Sequence, residues 1–167
     1  MTINQLNTLP DAEIQEVLFS CCGSSDWVQA MMNFRPFSSE AHLYESAQNC
    51  WLPRNEADFL EAFSHHPKIG DVDSLRSKFA STAHFAAGEQ RAVSQAPEEV
   101  LKCLARGNAD YEKKFGFIFI VCATGKSAAE MLRILQKRLP NSRGEEIRIA
   151  AAEQAKITRI RLEKLFA

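Results

Sequence analysis

His66, Glu89 and Arg161 are the residues whose types could together carry acid–base and anion chemistry in this chain. An imidazole gives or takes a proton near neutral pH. A carboxylate orients N–H donors, and a guanidinium holds an oxygen on which negative charge grows. His66 stands in His65-His66-Pro67-Lys68-Ile69-Gly70-Asp71. The residue before a proline is pushed out of the α region, so His66 should end a helix and leave that helix's pattern. Loops on a rigid scaffold are the usual home of reactive side chains. A plain helix stop with a solvent-facing His accounts for the same spacing.

Glu89 has Phe85, Ala86, Ala92 and Val93 as its i−4, i−3, i+3 and i+4 neighbours, so a carboxylate sits within an apolar helix face. It either points into a cleft or pairs with a buried cation, and buried carboxylates of this kind are functional candidates. At about 100° per residue, Ala151, Gln154, Thr158, Arg161 and Leu165 fall within roughly 40° of Ile147. Arg161 therefore shares the inward face, whereas Arg159 and Lys156 look outward and Ile149 and Ile160 lie nearly opposite. Snorkelling of the guanidinium to water and binding of an anion or carbonyl both fit that position. No other motif competes: there is no His-Glu-x-x-His, Cys-x-x-Cys or Gly-x-Ser-x-Gly,. The Ala123-Thr124-Gly125-Lys126-Ser127 run lacks the upstream glycine of a phosphate loop. Zinc held by His65, His66, His84 and a cysteine would require adjacent histidines on one ion, so no metal is expected.

The elements that must position these residues are helical. Residues 11–22 carry Ile14, Val17, Leu18 and Cys21 on one face, with Thr8 and Pro10 as the start,. Residues 26–33 follow, then a helix capped by Ser38 or Ser39 with Leu43, Tyr44, Ala47, Cys50 and Trp51 inward. Asn55 caps the next, with Asp58 at its third position and Phe59, Leu60 and Phe63 inward,. Residues 73–79 and 82–94 form two more. Pro97 opens a long helix with Val100, Leu101, Leu104, Tyr111 and Phe115 on one side,; Gly107 weakens it by about 1 kcal/mol relative to Ala. Residues 115–123 are apolar on both faces and read as a buried extended segment,. With no strand partner, its backbone must find hydrogen bonds from side chains or a ligand. Ser127–Glu130 and Ser142–Glu145 are capping boxes that open the last two helices,. The expectation is an all-α fold, one compact bundle of seven to nine helices over residues 1–167.

The 167 residues suit one domain,. A net charge of −1 creates no field for nucleic acid or an anionic membrane,. No run approaches the roughly 18 apolar residues of a membrane span. Residues 1–10 have neither Lys, Arg nor an apolar core, so no secretion signal is expected there, and Lys164-Leu165-Phe166-Ala167 is not a peroxisomal address,. Five irregularly spaced cysteines point to reduced thiols in the cytoplasm, most of them packed as small apolar residues,.

In this order, His66-Pro67-Lys68-Ile69-Gly70, Gly88-Glu89-Gln90, Phe115-Gly-Phe-Ile-Phe-Ile-Val121 and Ile157-Thr-Arg-Ile-Arg161-Leu162 resemble the 2-oxo-4-hydroxy-4-carboxy-5-ureidoimidazoline (OHCU) decarboxylase family of urate and purine breakdown. The resemblance runs along the whole chain. It implies an all-helical, cofactor-independent, dimeric enzyme that converts OHCU to (S)-allantoin and CO2. It implies His66 as catalytic histidine, held by Pro67, with Glu89 and Arg161 beside it. Pro67, Ala86, Gln90, Phe119, Ile120, Val121, Cys122 and Ala123 would contact substrate, the last five through the backbone. Two positions depart from the family: Ala86 stands where Ser is frequent, and Ile118 where Pro is frequent. The serine's contact would then be either missing or supplied by Gln90 or Thr82. In the implied mechanism the substrate ring holds the electron pair left by CO2 as an enolate, so no cofactor sink is needed. Arg161 would stabilise the developing charge, Glu89 orient ring N–H groups and His66 protonate one face of the enolate. A small molecule would be the partner, in a homodimer. Two other readings stand beside it: a non-catalytic helical scaffold with a structural Glu89–Arg161 pair, and a metal-dependent ring hydrolase of the same breakdown route.

Overall fold

The computed structural model describes residues 1–66, 72, 73, 75 and 98–167, which contain eight helices and no strand. These are α1 (Ile3–Thr8), α2 (Asp11–Cys22), α3 (Ser25–Met32), α4 (Glu40–Trp51), α5 (Glu56–Ser64), α6 (Glu98–Phe115), α7 (Ala128–Arg138) and α8 (Arg143–Lys164). The helix count falls within the expected seven to nine, and the all-α reading holds among the described residues. The helices expected over 73–79 and 82–94 lie almost wholly outside those residues.

The backbone contacts divide the chain into two compact units, residues Met1–His66 with Ile147–Ala167, and Pro67–Glu146. In the first unit α3 packs against α2, α4 and α5. Its core includes Leu6, Ile14, Leu18, Trp27, Met31, Leu43, Phe63 and Leu162, all nearly inaccessible to solvent. Two indoles fix helix pairs by a polar contact as well as by area. Trp27 Nε1 donates to Ala47 O at 3.0 Å, and Trp51 Nε1 donates to Ala151 O at 2.9 Å.

Helix starts follow the side-chain caps. Ser24, Ser39, Asn55 and Ser127 each accept a backbone N–H of the first turn, and Asn55/Asp58 and Ser127/Glu130 close full capping boxes,. Ser142 and Glu145 exchange the same pair of bonds at the start of α8. One helix was not expected. Helix α1 is opened by a capping box of Thr2 and Gln5, so Thr8 belongs to α1 and Pro10 precedes α2 with no side-chain cap.

In the second unit α6 packs on α7. A Cβ at Gly107 would stand 2.6 Å from Leu135 Cδ2. The glycine that looked like a flaw in α6 is therefore what lets α7 approach so closely.

Candidate active site

His66 is placed by the way α5 ends. His65 N–H donates to Ala62 O and His66 N–H to Phe63 O, i→i−3 bonds that tighten the last turn,. His65 packs edge-on to Phe19 with ring centroids 4.8 Å apart. A Cβ on Gly23, whose φ is +81°, would meet His65 Cβ at 2.9 Å. Gly23 thus serves two needs at once: a left-handed C-cap for α2 and room for the turn that carries His66. Gly23→Ala is expected to cost at least roughly 1–2 kcal/mol from the left-handed backbone alone. That corresponds to a fall of several degrees in Tm, read by thermal unfolding; an unchanged midpoint would show that neither constraint matters.

The half-buried His66 ring meets Gln154 of α8, with Nε2 2.5 Å from Gln154 Oε1. Gln154 is fully buried, and its Nε2 donates to Cys22 O at 3.1 Å and to Thr158 Oγ1 at 3.2 Å. The inward face of α8 runs through Ile147, Ala151, Gln154, Thr158 and Leu162, all buried, while Ile149 is exposed. Arg161 lies on the edge of that face at intermediate exposure. Its Nη1 donates to Ser20 O at 3.3 Å and to Cys21 O at 3.2 Å. These carbonyls belong to the last turn of α2, the negative end of its dipole. Among the described residues Arg161 has no carboxylate partner, and the groups it meets there are the Ser20 and Cys21 carbonyls.

Cys21 and Cys22 are buried beside these contacts. Burial pushes the Cys22 thiol up to about 12, against the opposing Thr158 hydrogen bond, and raises Cys21 as well. Both stay protonated at neutral pH and offer no thiolate nucleophile. Cys50 and Cys122 are also buried and Cys103 is exposed, and none of the five cysteines is in a disulfide.

In the second unit the segment after α6 is neither helix nor strand. Phe117, Ile120 and Cys122 are buried. Phe119, Val121 and Ala123 are half-buried. Side chains supply hydrogen bonds to its carbonyls, as the lack of a strand partner requires. Arg143 Nε donates to Phe115 O at 3.1 Å, Arg138 Nη1 to Ile120 O at 2.7 Å, and Lys126 Nζ to Cys122 O at 2.7 Å. Arg138 is itself buried and ion-paired with the fully buried Glu146. Tyr111 donates its hydroxyl to Glu146 Oε1 at 2.5 Å, and Asn141 Nδ2 donates to Glu146 Oε2 at 2.9 Å. The Arg138 guanidinium also lies 4.7 Å from the Phe119 ring centroid,. Burial, and then the Glu146 carboxylate, push the Tyr111 phenol well above its ordinary range, so it remains a neutral donor.

Pro67, Ala86, Glu89 and Gln90, named from the sequence as site residues, lie outside the described residues. The structure brings His66 and Arg161 into the unit that holds Gln154, and places Phe119, Ile120, Val121, Cys122 and Ala123 on the non-helical segment. Among the described residues no three His, Cys, Asp or Glu side chains are grouped to hold a metal ion. No described helix is long and apolar enough to cross a membrane. Two polar groups at these sites escaped the sequence reading. Gln154 was on the inward face without a role, although a buried amide must be paired. Arg138 had no signal beyond an ordinary basic last turn.

A family model described as OHCU decarboxylase matches residues 7–163. The uric acid degradation bifunctional protein of Arabidopsis thaliana is 42% identical over 149 residues, 87% of this chain and 45% of that protein. The chain therefore spans less than half the length of that relative. The 2-oxo-4-hydroxy-4-carboxy-5-ureidoimidazoline decarboxylase of Amia calva is 38% identical over 172 residues, 99% of this chain and 94% of that protein. A crystal structure of OHCU decarboxylase in the presence of (S)-allantoin has a TM-score of 0.70 at 40% identity, covering 89% of this chain and 95% of the other.

Proposed function

The chain belongs to the OHCU decarboxylase family, and we propose accordingly that it converts OHCU to (S)-allantoin and CO2. The observation that carries this reading is the family match over residues 7–163, which contains His66, Glu89 and Arg161 together. That match also runs across both compact units, which supports reading residues 1–167 as one functional domain.

In the reaction the bond from the ring carbon to the carboxylate breaks and CO2 leaves. The electron pair passes into the conjugated ring as an enolate, and protonation at the carbon bearing the ureido group sets its configuration. The substrate is its own electron sink. Arg161 is proposed to hold the oxygen whose charge grows as CO2 departs. A guanidinium oriented by the Ser20 and Cys21 carbonyls keeps its full charge and needs little reorganisation for that task,. His66 is proposed to donate the proton, Glu89 to orient ring N–H groups, and the backbone of residues 119–123 to contact the ring. That none of the five cysteines is in a disulfide fits the reducing, cytoplasmic setting proposed from their number and spacing,; the homodimer is proposed from the resemblance.

The test is the purified chain mixed with freshly made OHCU, with allantoin followed by circular dichroism. The expected result is substrate loss faster than its spontaneous decay, with allantoin of one hand. Decay at the spontaneous rate giving racemic allantoin would overturn the assignment. In the same assay Arg161→Met should lower kcat/KM by roughly 10²–10³-fold, the loss typical of one donor to a developing oxyanion. A full rate in that variant would remove Arg161 from the chemistry.

A further inference from the structure

We propose that Gln154 is the positioning residue for His66, holding the proton on Nε2 so that Nδ1 is the atom through which the ring gives and regains a proton. The orientation of the amide is fixed from its far side. Cys22 O can only accept, so the group facing it at 3.1 Å must be the NH2 of Gln154,. The other amide atom, Oε1, then faces His66 Nε2, and a carbonyl oxygen can only accept. The ring nitrogen must therefore be the donor. A neutral imidazole carries one N–H, and here it is committed to Gln154; the proton that comes and goes resides on Nδ1. Gln154 is fully buried, and Thr158 Oγ1 at 3.2 Å takes its second amide hydrogen. The amide cannot rotate to offer a donor to the ring without setting Oε1 against Cys22 O, two acceptors face to face, and leaving that carbonyl without its Gln154 donor, at a cost of about 1–3 kcal/mol,.

The consequence is kinetic as well as structural. If His66 is the acid, its Nδ1–H leaves to the enolate carbon and a solvent proton restores it, while Nε2–H stays throughout. Loss of Gln154 removes the acceptor that holds the proton on Nε2 and sets the ring's position, and misplacement by about 1 Å can cost on the order of 10²-fold in rate. The kinetic arm rests on the decarboxylase reading, but the tautomer does not.

The experiment is long-range proton–nitrogen NMR on protein carrying 15N-labelled histidine, with the His66 signals assigned by their absence in His66→Gln. At a pH where the ring is neutral, the wild type should show Nε2 protonated and Nδ1 bare. Gln154→Met should mix the tautomers and lower kcat on the order of 10²-fold with KM little changed. A wild-type ring protonated on Nδ1 would overturn the proposal even if Gln154→Met fails to fold. A folded Gln154→Met with full kcat and the wild-type tautomer would also overturn it. If the wild type has no OHCU activity but shows Nε2–H, the functional reading falls and the Gln154 assignment stands.

Discussion

His66→Ala is expected to slow the conversion of OHCU by about 10²–10⁴-fold, the usual worth of a positioned general acid. It should also change what is made. Once CO2 has left, the enolate can be protonated on either face. In the proposed mechanism, a ring fixed by Gln154 Oε1 at the end of α5 would deliver its proton from one direction only. Without it water protonates both faces, so the dichroism per mole of allantoin should fall towards zero. The two readouts are independent: the rate reports the acid, the optical purity its position. The variant also leaves Gln154 Oε1 without this donor, worth about 1–3 kcal/mol, so thermal unfolding should accompany the assay to show that the chain is folded. Unchanged rate with unchanged optical purity would remove His66 from the reaction.

The largest stability effect is expected at Glu146. Glu146→Ala leaves the buried Arg138 charge without its counterion, which typically costs about 3–5 kcal/mol. It also removes the acceptor of Tyr111 and Asn141. Urea unfolding should register the loss as a lower midpoint. Arg138→Met combined with Glu146→Leu should recover much of that stability, because an apolar pair of similar volume escapes the desolvation cost of two ions. It should not recover activity to the same extent, since Ile120 O loses its donor and the proposed substrate-contacting backbone loses an anchor. A double variant as active as the wild type would mean that this segment needs no anchoring at Ile120. A Glu146→Ala midpoint equal to the wild type would mean that Arg138 finds another partner.

Local chemistry made much of the fold legible. Ser127, Ser142 and Asn55 announce their helices because a cap and its box lie within four residues,. His66 is legible as a helix end because Pro67 follows it. Thr2 and Gln5 carry the same signal for α1, but so short a helix has no long apolar stripe to accompany it. Gly107 was read by propensity as a weakness, yet its meaning lies 28 residues away at Leu135. Arg138 and Glu146 are harder still. A basic residue in a last turn and an acidic one in a first turn are what any helix dipole favours,. Their burial depends on Tyr111, Phe119 and Ile120, brought there by tertiary packing that no periodicity encodes. Gln154 falls between: the helical wheel placed it inward, but the groups that fix its amide come from Cys22 and His66.

The segment from Phe115 to Cys122 is fastened by three cations at the carbonyls of residues 115, 120 and 122. Carbonyl oxygens are the same in every residue type, so these fastenings do not read the side chains between them. They do read the count. Dropping or adding one residue between Phe115 and Ile120 would offer Arg138 a different carbonyl, on a chain turned the other way. Natural variation in this stretch should therefore run through exchange of residue type at constant length, and insertions should fall outside the span from Phe115 to Lys126.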